Sequence, residues 1–152
     1  MDDTTEQRNW ERFRNERFAL EFSYPSPTPQ GYEVEVTEER AHDHRGDMER
    51  VHLSSPESAE LYFEVARFVG ITPHDEYANH GSYLKKRFGA GSVSELTETT
   101  LLERPAWTYG LRWPGHDRSV ILLPLSSDTY RIIYDPHSTL NDDVIATFEI
   151  VE

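Results

Sequence analysis

The sequence predicts a sheet-dominated α+β domain, and three observations carry that expectation. Short stretches of alternating apolar and polar residues, bounded by proline and glycine, recur along most of the chain. One longer segment, 72–88, holds both a helix start and a helix stop, and a shorter helical stretch lies near the C-terminus. At 152 residues with 36% hydrophobic and 12% aromatic content, the chain suits one domain with a full core. We divide it into a polar, flexible lead-in over 1–9 and a single domain over 10–152.

The first strand signal is RFALEFSYP at 17–25, where Phe18, Leu20, Phe22 and Tyr24 alternate with smaller or polar residues. Pro25, Pro27 and Pro29 end it, because proline has no amide to give a ladder. YEVEV at 32–36 alternates as a half-exposed strand would, and VHL at 51–53 begins a partner for it. AHDHRGD, 41–47, then falls where a hairpin loop is expected. ELYFEVARF at 60–68 is apolar on both faces and reads as a central strand.

The helix opens at ITPHDEY: Thr72 is the cap, Pro73 takes the first helical position, and Asp75 stands where a capping carboxylate reaches back. Tyr77, Leu84 and Phe88 share a face. Lys85, Lys86 and Arg87 complement the negative end of the dipole, and Gly89 and Gly91 stop the helix. Gly81 in its middle suggests a close contact between helix and sheet.

Strands follow over 93–102, 105–113, 118–124 and 129–135 with short breaks, the pattern of an antiparallel meander. Pro114 and Gly115 supply one of its turns. STLNDDVIATFEIVE closes the chain as a short helix, with Asp142 and Asp143 in its first turn, and a brief strand.

NERFALEFSYP near the start and YRIIYDPHSTLNDDVIATFEIV at the end bracket a helix and a meander, and in this order the chain resembles the PsbP-like superfamily. That group includes an extrinsic subunit of photosystem II, a Ran-binding nuclear import factor and many small bacterial proteins of unassigned function. The resemblance covers roughly Trp10 to Val151. It implies a central antiparallel sheet flanked by helices, an α/β/α sandwich, and it implies a binding or assembly module without a shared active site.

Charge and composition narrow the function classes. With 28 acidic and 15 basic side chains the formal charge is −13, so the long-range field repels phosphate backbones and anionic membranes. No nucleic-acid or membrane partner is expected, and a basic protein partner suits the charge. The absence of cysteine excludes disulfides, thiolate nucleophiles and cysteine-ligated metal clusters. The polar start and the lack of a long apolar run predict a cytoplasmic protein, or an exported one if a leader was removed.

Three sets of residues are candidates for a site. His42 and His44 alternate in a way that lets both imidazoles reach one zinc or nickel ion, with Asp47 or His52 as a third ligand. The competing reading makes the same segment an exposed polar turn around Gly46, with no tight metal binding. The larger side chains of AWTYGLRW, Trp107, Tyr109 and Trp113, either line a ligand pocket or belong to the core. Glu33 and Glu35, with Asp142 and Asp143, are candidates for an acidic partner surface.

No catalytic residue and no cofactor is assigned. There is no nucleophile elbow, and GAGS at 89–92 follows a helix where a phosphate loop would open one. The function expected is a non-catalytic binding or assembly module that presents an acidic surface to a protein partner. The alternative is a small-molecule-binding protein or hydrolase, with a pocket by the Trp107, Tyr109 and Trp113 stripe or a metal at His42 and His44.

Overall fold

A computed structural model describes residues 10–43 and 46–151. The lead-in 1–9, expected to be flexible, lies outside the described residues. The strands are β1 (Trp10–Phe13), β2 (Leu20–Pro25), β3 (Glu35–Asp43), β4 (Gly46–Ser54), β5 (Tyr62–Phe68), β6 (Thr97–Leu101), β7 (Arg104–Trp113), β8 (His116–Leu125), β9 (Asp128–Tyr134) and β10 (Glu149–Ile150). Helix α1 spans Pro73–Phe88 and α2 spans Thr139–Ile145, with a 3-10 turn at Ala90–Ser92.

The strands form a seven-stranded sheet in the order β3-β4-β5-β9-β8-β7-β6 and a three-stranded sheet in the order β1-β2-β10. Every strand pair is antiparallel. The meander is β6 to β9, and it joins the first hairpin through β5 against β9, where Val65 stands opposite Ile132. This makes the domain α+β and mostly sheet, as its alternating segments predict.

Period-two alternation sends side chains of each central strand to two separate cores. One face buries Val51, Leu53, Phe63, Val65, Leu123 and Ile132 against β2 and α2. There Phe22 stacks on Phe148 with centroids 5.1 Å apart, and Phe148 meets Phe63 edge-on at 5.5 Å. The other face buries Tyr109, Leu111, Val120, Leu122 and Ile133 with Leu84 of α1. One side of the large sheet is therefore covered by a helix, and the other by a small sheet together with a short helix.

Local sequence explains α1. The Thr72 hydroxyl accepts from the Asp75 amide at 3.1 Å, Pro73 follows, and the Gly89 amide donates to the Lys85 carbonyl at 2.8 Å. Leu84 is buried, whereas Phe88 extends past the sheet and keeps 40% of its surface exposed. A Cβ placed on Gly81 would meet Val93 Cγ1 at 3.6 Å, ordinary contact distance, so the packing there does not demand glycine.

Several boundaries differ from the sequence expectation. Tyr32, Glu33 and Val34 precede β3, which begins at Glu35 and runs through the polar segment TEERAH. Of AHDHRGD, residues 41–43 and 46–47 are correspondingly strand and not loop. Pairing with β4 extends β3, and a charged, exposed edge strand protects the sheet from pairing with another chain. The expected strand 93–102 shortens to Thr97–Leu101 after the 3-10 turn, with Val93 kept as a single bridge to Leu111. Strand β1 was not expected, since WERF is too short to show a period.

At the C-terminus, Asn141 is fully buried and links three segments. Its Oδ1 accepts from the Tyr62 amide at 3.2 Å and its Nδ2 donates to the Asp135 carbonyl at 3.0 Å. This bond pair sets the loop between β9 and α2, which frames the cleft described next.

Candidate functional site

An open cleft of about 730 Å³ lies at one end of the sheet, between the tip of the β7–β8 hairpin, the end of α1 and the β9–α2 loop. Sequence makes its walls. Gly115, at φ 78°, allows the Pro114–Gly115 turn, and the alternation along β7 puts Trp113 on the α1 side with Tyr109 and Leu111. Phe88 lies one turn beyond Leu84 and arrives over Trp113.

The apolar wall is a column of rings. Phe88 stacks on Trp113 with centroids 5.0 Å apart and planes 12° from parallel, and His116 also stacks on Trp113 at 5.2 Å. The Arg87 guanidinium lies 5.6 Å from the Phe88 centroid. Each contact is a favourable aromatic or cation–π arrangement, and together they hold the hairpin tip to the helix end.

The polar wall is interlocked. His137 Nε2 lies 2.8 Å from Asp117 Oδ2, and the His137 amide donates to Asp135 Oδ1 at 2.9 Å. Arg118 lies over the Tyr62 ring at 4.2 Å, is 3.9 Å from Asp135 Oδ2, and donates to the Asp117 carbonyl at 2.9 Å. His137 and Asp117 have the relation of a base and its orienting acid, but nothing nucleophilic completes them. Ser92, the hydroxyl in the lining, is buried and donates to the Gly89 carbonyl at 2.6 Å. The arrangement can bind and orient a ligand.

A second polar cluster lies under the first half of α1. Arg131 of β9 is 3.2 Å from Glu64 and 3.3 Å from Glu76, all three buried. Beside it the Tyr109 hydroxyl is 2.7 Å from His80 Nδ1. Burial pushes the Tyr109 phenol well above its ordinary range, with the neighbouring Arg131 partly opposing it. The cleft does not reach this cluster.

The residues singled out in the sequence are dispersed. Trp107, Tyr109 and Trp113 share one face, but Tyr109 is core, Trp107 packs edge-on to His74 at 5.2 Å, and only Trp113 lines the cleft. His42 and Asp47 are opposed across the β3–β4 ladder, with His42 Nδ1 2.7 Å from Asp47 Oδ1, and both are exposed. His44 lies outside the described residues. His52 lies on the opposite face of β4 from Asp47, by strand alternation. Among the described residues no group of three histidines or carboxylates converges as a metal site.

Glu33 and Glu35 are exposed around the start of β3, and Asp142 and Asp143 are exposed on α2. His116, Asp117, Arg118 and His137 were not foreseen. They come from two separate segments, and the only local signal was the turn WPGH at 113–116.

The sequence matches no protein-family model and no curated protein. In structure the chain is similar to the solution structure of cyanobacterial PsbP (CyanoP) from Synechocystis sp. PCC 6803. The TM-score is 0.60 at 11% identity, covering 93% of this chain and 92% of that one. The chain therefore has a PsbP-like fold, in agreement with the strand, helix and meander order of its sequence. No helix among the described residues is long and apolar enough to cross a membrane.

Proposed function

We propose that this protein is a non-catalytic binding module that engages a protein partner through the cleft beside Trp113, on a scaffold whose layers read as an α/β/α sandwich. The observation that carries the reading is the form of the cleft: about 730 Å³, open along one side, with an aromatic wall and self-satisfied polar groups. A small molecule is usually enclosed over most of its surface, whereas an open groove suits a peptide segment held by a few anchors. A photo-crosslinking residue in place of exposed Arg112, with exposed Thr100 beside Pro105 at the opposite end of β7 as control, tests this in the source cell. A discrete protein adduct from position 112 alone is expected. Turnover of a small substrate that is lost on changing His137 would replace the module with an enzyme.

A second contact surface is supported by Glu33, Glu35, Asp142 and Asp143, which are exposed and have no salt-bridge partner among the described residues. With a net charge of −13 they suit a basic partner. Its association would slow as salt rises from about 0.1 M to 1 M and the Debye length falls from about 10 Å to 3 Å. A partner retained equally at both salts, and by the folded charge-reversed quadruple variant, would remove this surface from the reading.

A further inference from the structure

The positive charge of this chain is unevenly used. Several arginines are held in ion pairs: Arg12 with Glu149 at 3.2 Å, Arg17 with Glu49 at 3.1 Å, Arg67 with Asp128 at 2.7 Å, and Arg131 with two carboxylates. Lys85, Lys86 and Arg87 are different. They are consecutive, exposed, and without an ion-pair partner among the described residues, and the first two are the only lysines in the chain.

A helix end attracts cations because its last carbonyls carry about half a negative charge, but three cations exceed that charge several-fold. They also stand at a particular place. The last turn of α1 is a ridge between the 730 Å³ cleft, which Phe88 lines, and a smaller hollow of about 370 Å³ that Lys85 and Lys86 line. Arg112, on the far wall of the cleft, is 79% exposed and only loosely associated with Asp117 at 3.9 Å. An aromatic wall thus lies near four exposed cations, Arg87 against the Phe88 ring and Arg112 at 3.9 Å from Asp117 among them, in a protein of net charge −13.

We propose that the cleft and this basic ridge form a docking site for an acidic segment of a protein partner, with an aromatic or aliphatic anchor on the Phe88 and Trp113 edges and carboxylates on Lys85, Lys86, Arg87 and Arg112. The proposal rests on the cleft reading above and adds the chemistry of the partner. Charge complementarity selects the occupant. A uniform polyanion such as nucleic acid would meet the acidic bulk of the protein, and Asp117 and Asp135 inside the cleft, whereas a short acidic segment reaches the ridge and places an apolar side chain between them. Arginine is suited to the carboxylates, and the half-exposed rings to the anchor.

The test uses a short fluorescein-labelled peptide of alternating glutamate and glycine with one central tryptophan. Lysine-for-glutamate and tryptophan-free peptides, a single-stranded oligonucleotide and anionic vesicles are compared with it. Binding is read by anisotropy and mapped by amide chemical shifts on the labelled full chain. The acidic tryptophan peptide is expected to bind best, to shift amides of 86–92 and 112–118, and to weaken about tenfold or more in the Lys85→Glu, Lys86→Glu, Arg87→Glu variant. Removing the tryptophan is expected to weaken it several-fold.

These substitutions lie on exposed side chains, and raising salt on the unaltered chain gives the same readout without any variant. If the lysine peptide seats in the cleft instead, the acidic class is wrong and the cleft stands. Tighter binding of the oligonucleotide or the vesicles at the same residues also overturns the acidic-segment assignment. An acidic peptide that binds only at distant residues overturns both this proposal and the cleft reading.

Discussion

Glu76, fully buried in the first turn of α1, lies 3.3 Å from the guanidinium of Arg131 on β9, so the helix is joined to the sheet by an ion pair inside the protein. Arg131 also holds Glu64 at 3.2 Å and lies 4.9 Å from the Phe68 centroid. Buried pairs recover their desolvation cost only while complete. Arg131→Met leaves two buried carboxylates facing each other, and we expect a loss of about 3–5 kcal/mol in urea unfolding. Glu76→Gln keeps volume and leaves Arg131 with Glu64, so about 1–3 kcal/mol is expected. Additive effects in the double variant would show that the two residues do not act as a unit.

The β6–β7 turn carries strain that a single change relieves. Leu102 and Glu103 link the paired residues Leu101 and Arg104, and both have positive φ, 54° and 62°. A side chain in that region costs about 1–2 kcal/mol relative to glycine. Glu103 is exposed, so Glu103→Gly should stabilise by about 1 kcal/mol, raising Tm by about 2–4 °C in calorimetry. Leu102 packs on the core, and Leu102→Gly should gain less or lose stability. The reverse ranking would contradict this account.

Gly81 offers a similar gain inside α1. It is helical, and a methyl group would meet Val93 at 3.6 Å without overlap. Gly81→Ala is expected to stabilise by about 1 kcal/mol through helix propensity, whereas Gly81→Leu should cost about 1–3 kcal/mol by overpacking. Thermal melts of the two variants moving in the same direction would show the space to be misjudged.

Alkaline pH should weaken the fold through its tyrosines. Burial, then the hydrogen bond and charge of Glu11, pushes the Tyr24 phenol up to about 12. A folded pKa above the unfolded value near 10 means that the native state keeps its proton longer. The stabilisation is complete below about pH 10 and is lost as pH rises toward about 12. Tyr109 is raised as well and adds to the slope. Urea midpoints across this window should fall, and less steeply in Tyr24→Phe; an unchanged slope would exclude Tyr24 from the effect.

Zinc should not bind tightly at the β3–β4 hairpin. His42 already pairs with Asp47, and His52 faces the other side of β4. Calorimetric titration near neutral pH is expected to show no binding tighter than about micromolar, because two adjoining ligands make an incomplete tetrahedral site. Nanomolar binding lost in His42→Ala would reverse the assignment.

The parts of the fold legible in the sequence are those whose signals are local. Thr72, Pro73 and Gly89 mark α1 because caps act within one turn, and the meander shows because alternation records which face of a strand is buried. The edge strand β3 was not legible past Val36, since an edge exposed on both faces needs no apolar period and takes its extension from β4. No local signal marks Glu76 or Arg131, and only packing α1 on β9 makes them a buried pair.

The candidate site divides in the same way. Its aromatic rings are visible in the sequence as the stripe on β7 and the helix face ending at Phe88. The cleft itself arises because β7, β8 and the β9–α2 loop end at the same edge as α1, bringing together Phe88, Trp113, His116 and His137. By itself the sequence determined the charge of −13, the absence of thiol chemistry, one long capped helix and a mainly antiparallel sheet. Only the tertiary structure decided which cations lack partners and where a concavity lies, because ion pairing and concave shape depend on residues brought together across many intervening positions.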